Sequence, residues 1–204
     1  MEIYDVSMAI HKNMPVYKNI ESKRPFLKRV KSFEEDGINE SEINMNLHTG
    51  THIDAPLHVF KDGDSIEKID IKKLITKCKV LDLTGIKMVT EDELKVKEIE
   101  KESFVILKTD NSYRDEFNAE FVFLEKSGAK YLADLNIKGV GIDALGIERG
   151  QIGHPTHNTI INNGAIIIEG LRLKEIKEGE YMMYALPLNI VGGDGAPARV
   201  ILTK

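Results

Sequence analysis

Short, nearly continuous apolar runs recur along the middle of the chain, at Val80–Leu83, Phe104–Leu107, Val140–Ile142 and Ala165–Ile168. Runs of this length with little polar alternation read as strands covered on both faces. Helix signals lie between them. Thr90-Glu-Asp-Glu93 has the capping-box pattern ahead of Leu94, and Phe123 through Leu135 carries apolar residues at helical spacing, with Gly128 as a weak point. Strand and helix in alternation predict an α/β domain with a largely parallel or mixed sheet.

The two ends of the chain follow other patterns. From Glu42 to His48 polar and apolar residues alternate after a turn signal at Glu34–Gly37, which predicts an antiparallel hairpin whose strand His48 continues. Lys61-Asp-Gly-Asp64 predicts a second turn, followed by a short helix over 66–75. Ala185–Leu188 and Val200–Leu202 read as strands flanking a flexible glycine-rich loop, Gly192–Pro197.

Composition narrows the function classes. At 204 residues without repeat or linker, the chain predicts a single domain, 1–204, able to bury a proper core. A net charge of -5 with no basic stripe argues against nucleic acid as a partner, so a small molecule is expected. Neither a signal-like start nor a membrane-length apolar run is present, so no membrane association and a cytoplasmic location are expected. The single cysteine, Cys78, permits no intrachain disulfide and no thiolate metal cage.

Histidine placement points to chemistry. Of six histidines, three fall in His48-Thr-Gly-Thr-His52-Ile-Asp54-Ala-Pro-Leu-His58 and two in His154-Pro-Thr-His157. Gly50, Pro56 and the β-branched residues disfavour helix in the first cluster, and in an extended segment His52 and Asp54 share a face, with His48 and His58 of matching parity. Imidazole and carboxylate together suit divalent zinc, manganese or iron. Glu169 ends an apolar strand, where α/β folds commonly place function.

These segments resemble the signature of the cyclase-like metal-dependent hydrolases, the family of bacterial kynurenine formamidases and isatin hydrolases. Tyr4-Asp-Val-Ser7, Gly141-Ile-Asp-Ala144, Glu169-Gly-Leu171 and the closing Leu-Pro-Leu and Gly-Ala-Pro-Ala-Arg stretches extend the resemblance nearly end to end. It implies a swivelling β/β/α fold and a homodimer or larger homo-oligomer. It further implies one or two Zn2+ or Mn2+ ions, the first held by His48, His52 and Asp54, the second by His157 and Glu169 with Asp54 bridging. His58 would be the acid/base residue. One stretch departs from the formamidase pattern: Leu145-Gly-Ile-Glu-Arg-Gly150 stands where Ser-Val-Asp-Pro is usual.

The expected activity is cleavage of an amide-type C–N bond, in an arylformamide or a cyclic amide, by water activated at a metal. A lactonase, or a cyclase or dehydratase, would use the same ion as a Lewis acid, and a non-catalytic metal-binding protein would fill the ion's coordination shell. A cupin-like dioxygenase shares the donor types but demands an all-β barrel. Candidate substrate contacts are His154, Tyr17, Phe60 and Arg199. With no tryptophan, seven phenylalanines and six tyrosines, an aromatic box would have to draw on Tyr17, Phe26, Phe33 or Phe60.

Overall fold

Residues 1–204, all described by the computed structural model, build a mixed sheet around the apolar runs. β5 (Ile75–Asp82), β6 (Phe104–Lys108), β7 (Gly139–Ile142) and β8 (Ile166–Glu169) lie parallel in that order. β8 then pairs antiparallel with β4 (His52–Asp54), β4 with β10 (Gly195–Thr203), β10 with β9 (Gly179–Pro187), and β9 with β5. Seven strands thus close into a barrel, and β1 (Ile3–Asp5) adds to the far end of β10. The α/β class with a mixed sheet is what the strand and helix alternation predicted.

Period-2 geometry divides the apolar runs between two cores. Phe104 and Ile106 of β6 point into the barrel with Ile53, Val80, Ile168 and Val200, while Val105 and Leu107 point out. The outer face is covered by α2 (Glu91–Lys95), α3 (Lys126–Asp134) and α4 (Pro155–Asn162), which bring Leu94, Leu132 and Ile160 against it. Because the barrel interior is packed with side chains, a ligand site must lie at its end. Truncating a buried leucine such as Leu107 to alanine in such a core costs roughly 2–5 kcal/mol.

Several boundaries differ from the sequence expectation. The capping box at Thr90 and Glu93 is present, but the second helix begins only at Lys126, because Phe123 and Leu124 are spent on backbone bonds to Val89 and Ile147. Residues 66–75 form no helix. Two 3-10 turns stand there, Ile66–Lys68 and Ile71–Lys73, since the Asp70 carboxylate accepts Lys72 N–H and starts a new turn, and the Leu74 carbonyl is bonded by Ala185 N–H of the sheet. The glycine-rich loop is shorter than expected: Gly195, Ala196 and Pro197 belong to β10 and pair with Asp54, Ile53 and His52.

An arm stands apart from the barrel. β2 (Phe26–Lys31) and β3 (Glu40–Asn44) form a separate two-stranded sheet joined by α1 (Phe33–Asp36). Phe26, Leu27, Phe33 and Ile43 are each more than half exposed on it. The predicted hairpin is there, but β3 ends at Asn44 and His48 does not continue it. An Asx-type turn takes over, in which the Asn46 side chain accepts His48 N–H at 2.9 Å. No helix is long and apolar enough to cross a membrane.

Candidate metal centre

Three strands meet at one end of the barrel to present donors. His52 opens β4 and faces Glu169, the last residue of β8, across an antiparallel pair; Asp54 follows on the same face. Gly170 makes this junction possible. Its φ of +71° belongs to the left-handed region, and a Cβ there would lie 2.2 Å from the Gly50 carbonyl oxygen. His157 enters from the first turn of α4, and His58 from the 3-10 turn Pro56–His58, whose leading proline fixes φ. Beyond β7, the buried Asp143 carboxylate accepts the N–H and hydroxyl of both Thr109 and Ser112, tying the loop after β6 to this end.

Among the innermost donors, His52, Asp54 and Glu169 lie close enough together to share an ion, and His157 approaches the same two carboxylates from the other side. His52 Nε2 lies 3.4 Å from Asp54 Oδ1 and 3.3 Å from Glu169 Oε2, and His157 Nε2 lies 3.6 Å from Asp54 Oδ2 and 3.5 Å from Glu169 Oε1. Ligands held about 2.0–2.2 Å from one tetrahedral ion stand about 3.3–3.6 Å from each other. The ring orientation agrees: His52 Nδ1 donates to the Gly50 carbonyl at 3.0 Å, which leaves Nε2 as the nitrogen that would hold an ion once its proton is displaced. Both His52 Nε2 and Asp54 Oδ2 are buried without a hydrogen-bond partner. Unpaired polar atoms in such a place call for a ligand. The donor set therefore fits a divalent ion.

Electrostatics of the bare site point the same way. Burial drags the His52 and His157 imidazoles down, yet the surrounding carboxylates more than offset it, and both are raised to about 10. Burial also opposes ionisation of Glu169 and Asp54, but hydrogen bonds from the histidines hold Glu169 at about 2 and Asp54 well below its ordinary value. Without an ion, protons supply the positive charge that these carboxylates demand.

Around this centre lies a second set. His48 Nδ1 is 2.9 Å from Asp54 Oδ1, and its Nε2 is 2.9 Å from Asp194 Oδ2. The two Asp54 oxygens thus face different histidines, Oδ1 toward His48 and His52 and Oδ2 toward His157. His58 stacks 4.0 Å from His48, ring centre to ring centre, with Nδ1 3.7 Å from Asp194 Oδ2. Burial pushes the His58 imidazole below its ordinary value. It is the least enclosed of the four, a third of its side chain facing the cleft.

Two carboxylates in the site escaped the sequence reading. Glu148 lies within the stretch that departs from the formamidase pattern. Its Oε1 sits 3.0 Å from His157 Nδ1 and 2.7 Å from His154 Nδ1, while Oε2 accepts Thr156 N–H at the start of α4. Asp194 stands between glycines in the loop before β10. Neither has a local pattern that marks it, although Glu148 six residues ahead of His154 in a departing motif was a usable signal.

The remaining candidates divide. Tyr17 and His154 line a cleft of about 460 Å³ that also contains His48, His58, His157 and Glu169. Phe60 does not: its ring packs against the outer core because the chain turns back at Gly63. Arg199 is on an exposed face of β10, paired with Asp5 of β1. Phe26 and Phe33 are on the arm. Cys78 is buried in the barrel, where burial pushes its thiol up to about 12 and leaves it inert.

Comparison with known proteins gives a consistent picture. The Cyclase family model matches residues 4–149. Cyclase-like protein 2 of Arabidopsis thaliana is 33% identical over 214 residues, covering 98% of this chain and 79% of that protein. A kynurenine formamidase of Geobacillus thermodenitrificans is 30% identical, covering 98% and 96%. Among solved structures, one described as a potential metal-dependent hydrolase with cyclase activity superposes with a TM-score of 0.91 at 50% identity, covering 98% of this chain and 96% of that one.

Proposed function

The chain belongs to the Cyclase family, and on that premise we propose that its single domain, 1–204, is a metal-dependent hydrolase of amide-type C–N bonds, acting on an arylformamide or cyclic amide. The observation that carries this reading is the buried His52, Asp54 and Glu169 group, with His157 3.5–3.6 Å from the same two carboxylates and His52 Nε2 aimed into the group while its Nδ1 is bonded to Gly50. His48, His52 and Asp54 would hold a first ion, and His157 and Glu169 a second, with Asp54 shared because its two oxygens face the two sets. Nitrogen and carboxylate donors suit Zn2+ or Mn2+.

A divalent ion in this position supplies Lewis acidity, lowering the pKa of water and polarising a carbonyl. The chain's own residues do the rest. His58, kept neutral by burial and open to the cleft, accepts the proton of the attacking water at one ring nitrogen and returns it to the departing amine. Asp194 orients His58 and His48 together from the glycine loop. Glu148 places a carboxylate oxygen 3.0 Å from His157 Nδ1, on the side of the ring where outer carboxylates pair with metal-binding imidazoles. The walls of the cleft around Tyr17 and Leu145 exclude water from one side of the bound substrate.

The protein is further proposed to act as a homo-oligomer. A two-stranded sheet exposed on both faces is marginal by itself, and the apolar arm offers surface for a second copy to cover. The test is elemental analysis of the purified protein combined with hydrolysis of N-formylkynurenine and formanilide, before and after chelation and with zinc or manganese restored. Metal-dependent turnover supports the reading. Bound metal with hydrolysis of lactones alone would replace it with the lactonase reading, and a chain that neither contains nor takes up metal would end it.

A further inference from the structure

We infer that the rim of the cleft, formed by Tyr17, Lys18 and Lys23, selects substrates that carry a carboxylate remote from the scissile carbonyl. This rests on the amide-hydrolase reading and specifies its substrate class. The cleft is lined by three carboxylates, Glu148, Glu169 and Asp194, and by two ammonium groups, Lys18 and Lys23. Lys18 Nζ lies 5.3 Å and Lys23 Nζ 5.4 Å from the centroid of the Tyr17 ring. In a chain of net charge -5, two ammonium groups converging on one aromatic ring at a cleft run against the overall balance.

These charges are not consumed by the protein. The acidic residue of this segment, Glu21, is taken by Arg24 at 3.0 Å, and neither lysine has a carboxylate within ion-pair distance. The backbone that bears these lysines is itself restrained. Lys18 and Asn19 occupy the left-handed region in succession, at φ 56° and 52°, which is common for asparagine and uncommon for lysine. The Lys23 carbonyl accepts the Thr49 hydroxyl at 2.8 Å, which joins the rim to the turn bearing His48.

The Tyr17 ring is fixed as well. Phe117 and Phe121 meet it edge-on at 5.6 and 6.1 Å from behind. A Cβ on residue 146 would approach Tyr17 Cε2 to 3.2 Å, so Gly146, within the departing stretch, lets the ring lie close to the backbone. The result is an aromatic rim with two ammonium groups over the Tyr17 ring, on the same cleft as the nucleophile-generating residues. A planar acyl-amine body would lie in the cleft with its amide inward, and a carboxylate at its far end would meet Lys18 and Lys23 beside Tyr17. A neutral analogue would forgo that contact.

The test compares 4-formamidobenzoate with its methyl ester and with formanilide, on the metal-loaded protein and on the K18Q/K23Q double variant. Calorimetric binding of 4-acetamidobenzoate and its ester runs in parallel. Two solvent-accessible charge contacts predict a preference for the carboxylate of about tenfold in kcat/KM. It should reside in KM, shrink as salt is raised and vanish in the double variant with kcat unchanged. Equal kcat/KM for acid and ester, or a preference that survives both substitutions, overturns the inference. If no amide is hydrolysed yet the acid binds more tightly than the ester and loses that advantage in the variant, the rim stands and the amide-hydrolase reading falls. Equal binding of acid and ester removes the rim whatever the turnover.

Discussion

Replacing His58 by alanine separates the two roles a histidine in this cleft could have. His58 sits outside the set whose donors lie 3.3–3.6 Å apart, its nearest charged neighbour being Asp194 at 3.7 Å, and a third of its side chain is exposed. Losing it removes a proton carrier without opening a buried cavity, so the fold should survive with a change within about 1 kcal/mol. A positioned acid/base is worth 10²–10⁴ in rate, so turnover is expected to fall at least about 100-fold, close to 2.7 kcal/mol of barrier. The acid limb of kcat/KM gives a second signature. Burial lowers the His58 pKa, and activity requires its neutral form; the wild-type rate should therefore fall as pH drops through a value below 6.5, and this limb should disappear in the variant. Steady-state rates from pH 5 to 9, with metal content measured on the same samples, decide the matter. His48, Asp54 and His58 could also gather round an ion, so an H58A protein that loses metal in proportion to activity would refute the acid/base assignment.

Other expectations test the surroundings. In the metal-free protein His52 and His157 are protonated at neutral pH, so loading with Mn2+ at pH 7 should release about two protons, measured with an indicator dye; no release would mean the ion binds elsewhere. The same raised values stabilise the metal-free fold fully below pH 6.5, and this stability should drain away as pH rises toward 10, visible as a falling denaturation midpoint. Glu148→Gln leaves His157 less firmly oriented and should weaken metal affinity about 10–100-fold in chelator competition, whereas unchanged affinity would reduce Glu148 to a cap of α4. Gly170→Ala places a methyl against the Gly50 carbonyl at a positive φ and should destabilise the protein by more than about 2 kcal/mol in urea unfolding; a neutral effect would show that the β4–β8 junction has slack.

The sequence by itself determined the parts whose physics is local. Nearly continuous apolar runs marked β6 to β8 and the end of β5, because strands buried on both faces leave little room for polar alternation, and the capping box marked α2. The same local reading found a histidine-rich segment chemically suited to a divalent ion, and the family resemblance implied His157 and Glu169 as its partners. Only the tertiary structure decided how these pieces meet. His48 lies on an Asn46 turn rather than a strand, and Gly195–Pro197 is a strand rather than a loop, because β4 is three residues long and exists only through pairing with β8 and β10. Phe60 and Arg199 have suitable chemistry but face the outer core and the β1 edge, while Glu148 and Asp194 reach the site from segments without a pattern of their own. Residue type and spacing fix what a side chain can do; closure of the barrel, which joins residues far apart in the chain, fixes which of them do it together.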